Sequence, residues 1–137
     1  MITAIVFMIL VATLGALALS LSTSTVKQTS DLYLREQAEL LLQSSAEYTL
    51  LAISGHDFTS ECLNNIHINY PAANKLFDID ISINYLGSNL PAGCQRFTTN
   101  DIDTNESNLT VILDITVTDN NLSTEPIRLH RRTIQKP

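Results

Sequence analysis

The residues of this 137-residue chain whose types and spacing could do chemistry lie almost entirely beyond position 55. Asp101-x-Asp103-x-Asn105 has the alternating oxygen donors that open a calcium loop, since a hard cation takes carboxylate and amide oxygens from successive same-side positions. The pattern then departs from that use. The glycine required next is Glu106, and the twelfth position holds Ile112 in place of a bidentate glutamate, so an acidic surface loop is the plainer reading and calcium the sharper one. Asn105, Asn108 and Asn121 each begin Asn-x-Ser/Thr, with Asp103, Glu106 and Asp119 near the upstream position of an extended acceptor site for N-linked sugar. In a chain rich in Asn, Ser and Thr, such matches also arise by chance. Cys62 and Cys94 are an even pair in the part that would face an oxidising compartment, which reads as a disulfide. Two buried free thiols or a metal pair are the alternatives, and neither His56 nor His67 stands at a recognisable ligand spacing.

Catalytic arrangements are missing from the pattern. His56, His67 and His130 are widely separated, no serine sits in a nucleophile-elbow motif, and Asp78 and Asp80 alternate as solvated carboxylates on a strand do. The expectation is a protein without an active site or resident cofactor. Arg128, Arg131, Arg132 and Lys136 put half of the eight basic residues into the last ten positions of a chain whose net charge is −6. That overall acidity argues against nucleic acid, which demands clustered cations. Alternation sets Arg128, His130 and Arg132 on one face, opposite Ile127 and Leu129. Either this is a solvated sheet edge kept soluble by charge, or it is a lateral contact with the acidic face of a neighbouring subunit, Asp78 and Asp80 included.

Residues 1–54 must position all of this. From Met1 to Leu21 there is no charge and no proline, enough helix to cross a bilayer core. Ala16-Leu17-Ala18 reads as a small-x-small cleavage site, but no basic stretch precedes the run and helical patterning continues through it, which favours an uncleaved anchor. From Lys27 onward the segment is amphipathic. Leu34, Ala38, Leu41, Ser45, Tyr48 and Ala52, widened by Leu42 and Thr49, form an apolar stripe, and Gly55 supplies a left-handed C-terminal cap.

Beyond the helix the period changes to two. Ile66–Tyr70, Phe77–Tyr85, Leu109–Val117 and Ile127–Ile134 read as four strands, with Pro71–Lys75 as a hairpin connection and 86–108 as a long loop held by Cys94. One apolar sheet face needs a cover, and the helix stripe is the available one. The expected fold is α+β: a long N-terminal helix, its first half membrane-spanning and its second half packed on a four-stranded antiparallel sheet. The expected divisions are 1–25 in the membrane, 26–54 as amphipathic helix and 55–137 as an extracytoplasmic sheet domain.

The apolar start, Met1-Ile2-Thr3-Ala4-Ile5-Val6-Phe7-Met8-Ile9-Leu10-Val11-Ala12-Thr13-Leu14-Gly15-Ala16-Leu17-Ala18, resembles that of the type IV pilin and type II secretion pseudopilin superfamily. The likeness in sequence covers about the first 25 residues and is architectural beyond them. It implies a filament subunit that sits as a single pass in the inner membrane, N-terminus cytoplasmic and C-terminal domain periplasmic. Its partners would be other pilins, the inner-membrane assembly platform, the lipid bilayer and, if a leader precedes Met1, a prepilin peptidase that exposes a methylated N-terminus. It also marks Met1, Thr3, Ile5 and Gly15 as the assembly segment. Two departures refine the expectation. The family places a glutamate in the first turn, where Ile5 or Thr3 stands here and the first acidic residue is Asp31. The proline expected about twenty residues in is replaced by Leu21 and Ser22. Both point to a minor pilin or pseudopilin, with a membrane-anchored periplasmic interaction domain as the alternative.

Overall fold

The computed structural model describes residues 2–59, 61–102, 109–120 and 123–137. Helix α1 runs from Ile2 to Ser54, 53 residues without a break and about 80 Å long at 1.5 Å per residue. Strands β1 (Asn65–Tyr70), β2 (Phe77–Gly87), β3 (Leu109–Asp119) and β4 (Arg128–Gln135) follow as an antiparallel meander in the order β1-β2-β3-β4. The fold is α+β, as the change of period predicts.

Sheet and helix meet through alternate residues. Phe77, Ile79, Ile81, Ile83 and Tyr85 of β2 and Val111, Leu113, Ile115 and Val117 of β3 all face inward and are buried. Each contributes roughly 1.5–3 kcal/mol by leaving water. Ala38, Leu42, Ser45, Thr49 and Ile53 form the helix side of the core. Ala38, Leu42, Ser45 and Thr49 belong to the expected stripe, which is turned slightly so that Ile53 joins it and its other edge is less buried. Leu34, Leu41 and Ala52 are only half-buried, and Tyr48 is 54% exposed. Size decides which edge of the stripe lies deepest: Ala38, Ser45 and Thr49 let the helix backbone approach β3, which Tyr48 would prevent. Their hydroxyls cost little there, because Ser45 Oγ donates to Leu42 O at 2.9 Å and Thr49 Oγ1 to Ser45 O at 2.7 Å.

The helix stops where expected but by another device. Gly55 N–H donates to Leu51 O at 3.1 Å, and no glycine has positive φ, so Gly55 is not a left-handed cap. A Cβ on Gly55 would sit at ordinary contact distance, 3.5 Å, from Leu51 O. Because β4 runs alongside α1 in the same direction, the β1–β2 and β3–β4 connections lie at the end nearest the apolar half of the helix. Asn120 joins them, its N–H donating to Leu76 O at 2.9 Å and its Nδ2 to Lys75 O at 3.2 Å. The opposite end carries the segments around Cys62 and Cys94.

Candidate functional site: the apolar half of the helix and its junction with the sheet

Residues 2–30 are exposed throughout, and this part of α1 is long and apolar enough to cross a membrane with none of its apolar stretch buried by the rest of the chain. A helix that is apolar on every side fits hydrocarbon as its solvent. Four of the hydroxyls in and beside the span turn back onto the helix. Thr13 Oγ1 donates to Leu10 O at 2.9 Å, Thr23 to Ser20 O at 2.9 Å, Ser24 to Leu21 O at 3.1 Å and Thr25 to Leu21 O at 3.0 Å. At these four positions lipid meets satisfied oxygens.

Of the expected assembly residues, Met1 lies outside the described residues, and Thr3, Ile5 and Gly15 are exposed in the span. The first turn has no acidic residue. A Cβ added to Gly15 would meet nothing within 4 Å, so no neighbour in this chain requires a glycine there. Glycine in a helix interior costs about 1 kcal/mol relative to alanine. Ala12, Ala16, Ser20 and Ser24 continue the small-residue row beside it at four-residue spacing.

Just beyond the span the helix is tied to the sheet domain. Asp31 Oδ1 accepts the Thr124 N–H at 3.1 Å, beside a recess of about 510 Å³ lined by Asp31, Arg35, Glu125 and Arg128. Asp119 holds the β3–β4 connection in shape, accepting from Ile127 N–H at 2.7 Å and from Ser123 Oγ at 2.6 Å.

The outer sheet face brings charged residues together in pairs. Arg132 grips Asp114 through Nε at 2.7 Å and Nη2 at 2.9 Å, and His130 Nε2 lies 3.3 Å from the same carboxylate. The hydrogen bond from Arg132 is the main reason that the Asp114 carboxyl is held below the usual range. Two of the three candidate contact residues are thus occupied within their own sheet, while Arg128 has no ion pair among the described residues. Of the acidic residues expected to receive such a contact, Asp80 is 2.7 Å from His67 Nδ1.

At the far end Cys62 and Cys94 are bonded, with Cα atoms 4.8 Å apart. Asn64 spans the same gap, its Nδ2 donating to Gly93 O at 2.8 Å and its Oδ1 accepting Gln95 N–H at 2.9 Å. Tyr85 closes the core beneath them. Its hydroxyl donates to Leu63 O at 2.7 Å, and burial pushes its pKa up to about 12. Of the calcium candidates, Asp101 accepts from Arg96 Nη1 at 2.9 Å, and Asp103 and Asn105 lie outside the described residues. Asn108 and Asn121 do too. Among the described residues no group of three or more His, Cys, Asp or Glu could hold a metal ion. Sequence reasoning did not find Asp31, Asn64 or Asp114 as joints, because each makes its bond across 18 or more residues of separation.

The chain matches no family model, no curated protein and no solved structure.

Proposed function

We propose that this chain is a structural subunit, a minor pilin or pseudopilin, of a type IV pilus or type II secretion-like filament, held in the inner membrane before assembly with its sheet domain outside the cytoplasm. The observation that carries the reading is that α1 passes unbroken from a half suited to lipid into a half packed on an antiparallel sheet, with Gly15 placed where nothing in its own chain needs it. A second helix, approaching through the row of Gly15, Ala12 and Ala16, gives that glycine a reason. Other pilin-like chains and an assembly platform in the inner membrane are the partners this requires.

The uncharged start narrows the position in the filament. In the family this chain resembles, an early glutamate answers a neighbour's N-terminal ammonium, and a cation left unanswered among apolar helices costs roughly 2.5–3.5 kcal/mol. No carboxylate precedes Asp31 here. The subunit therefore joins a shaft poorly and suits the tip, where no earlier subunit has to be answered. Quantifying the protein in purified filaments tests this. A low-copy component at one end is expected, and Ile5→Glu, or Thr3→Glu if the mature start lies upstream, should admit it to the shaft. Recovery of the unaltered protein as the abundant, evenly spaced subunit would refute the tip placement, and recovery only as dispersed membrane monomers would refute the filament.

A further inference from the structure

We propose that the outer edge of β4, together with the apolar groove at its far end, receives an extended segment of a different protein chain as a fifth antiparallel strand. Among the described residues no strand lies beyond β4 in the sheet order. The hydrogen bond from Asp119 N–H to Ile127 O fixes which residues of the strand are used inward. With the pairs Val117↔Leu129, Ile115↔Arg131 and Leu113↔Thr133, the odd-numbered residues exchange backbone bonds with β3. The N–H and C=O groups of Arg128, His130, Arg132 and Ile134 consequently point away from the sheet, and their side chains share its outer face. An antiparallel partner needs just this alternation.

The side chains along that edge specify what the partner carries. Ile134 is 66% exposed and borders a groove of about 610 Å³ whose other walls include Leu86, Phe97, Ile102 and Ile112. Phe97 is itself 59% exposed, so the groove is open and apolar. Toward the other end of the strand stand His130, one side of whose ring faces Asp114, and Arg128, which has no ion pair among the described residues. A strand laid antiparallel to β4 would thus offer an apolar side chain beside Ile134 and carboxylates four and six positions later on the same face, opposite His130 and Arg128.

This chain cannot supply that segment from its own edges. Ile83 N–H donates to Asn64 O, so the outward residues of β1 are Asn65, His67 and Asn69, none of them apolar or acidic. A second β4 has no carboxylate to set against Arg128, and in the register centred on His130 it would set Arg128 against Arg132. Lipid is too far from the apolar groove, since β4 ends beside Ala46 and Leu50, roughly 37 Å along the helix from Leu21. The inference does not rest on the filament reading, because an anchored domain outside any filament has the same edge.

The test uses the full chain in detergent micelles and one synthetic probe, a ten-residue peptide of alternating threonine and valine with phenylalanine at its second position and glutamate at its sixth and eighth. Amide hydrogen exchange should slow at least tenfold at His130, Arg132 and Ile134 when the peptide saturates, with no added protection at Leu129, Arg131 or Thr133. Ile134→Asp, on an exposed side chain, should weaken binding tenfold or more while protection of β3 stays unchanged, and Arg128→Glu should weaken it several-fold. A peptide with lysine in place of both glutamates should bind at least tenfold more weakly. No slowing at saturation, protection of Asn65, His67 and Asn69 instead, or equal affinity for Ile134→Asp would each overturn the proposal. So would protection of β4 that rises with protein concentration when no peptide is present, which would make a second copy the occupant.

Discussion

Replacing Cys62 and Cys94 together by alanine should lower the stability of the sheet domain by about 3–4 kcal/mol, the chain-entropy value for the 32-residue separation that the bond closes. That is a large share of the roughly 5–15 kcal/mol by which a domain of this size is stable. It corresponds to a fall in Tm of roughly 10–25 °C. Folding itself should survive, because Asn64 holds the same two segments together through Gly93 and Gln95. The perturbation thus separates an effect on the unfolded chain, now free to spread, from one on the native loop, which keeps its place. Near-ultraviolet circular dichroism of the full chain in micelles reports on the second. Tyr85 lies edge-to-face with Phe58 at 6.0 Å, just under the bonded segments, and its signal should persist in the variant at room temperature. Thermal unfolding followed at the same wavelength reports on the first. Identical midpoints for the oxidised protein and the variant would refute the reasoning, since the bond would then constrain nothing that folding must order. Loss of the aromatic signal before any heating would refute the role given to Asn64.

Two further predictions follow from titration. Burial raises the folded pKa of Tyr85 to about 12, and a raised pKa favours the neutral phenol, so this contribution is complete below the ordinary tyrosine range and is lost as pH rises towards 12. Urea midpoints should fall over that interval in the native protein and fall less in Tyr85→Phe, which should itself cost about 1–2 kcal/mol at neutral pH by leaving Leu63 O without its donor. Asp114 behaves oppositely. Its folded pKa is depressed, first by the Arg132 hydrogen bond, so its contribution is present above the ordinary carboxylate range and disappears as pH falls through it. With Arg132 largely exposed, solvent screens the pair, and Asp114→Asn should show a small deficit at pH 7 that is absent at pH 2. A deficit that is constant with pH would mean the variant disturbs packing instead.

Much of the architecture was legible because period is a local property. The change from 3.6 to 2 after Gly55 places all four strands, and the hydrophobic start of α1 states its solvent without reference to anything else. The stripe that lies inward was legible through Ala38, Leu42, Ser45 and Thr49, but not which of its edges lies deepest. Leu41, Tyr48 and Ala52 are as periodic as Leu42, Thr49 and Ile53, and the two rows differ by a small rotation. Only the nearness of β3 turns the stripe so that Ile53 is buried and Tyr48 is left exposed. The basic cluster of β4 shows the same limit. Its composition reads as a free cationic face, yet Arg132 and His130 both turn to Asp114, one strand away in space and 16 or 18 residues away in sequence.

Small residues on α1 make one argument from both halves of the helix. In the packed half, Ala38, Ser45 and Thr49 are small where β3 comes close, and the burial of Leu113, Ile115 and Val117 opposite them offsets whatever helix propensity serine and threonine forfeit. In the apolar half, Gly15, Ala12, Ala16 and Ser20 are small and exposed, and among the described residues nothing would touch a Cβ at Gly15. Lipid does not require them, since leucine suits hydrocarbon better and forms helix as well or better than glycine does. The cost of Gly15 therefore has its compensation outside this chain, as the cost of Thr49 has its compensation inside it. A helix backbone is the partner that benefits most from a missing side chain, because it is the partner that can approach closest.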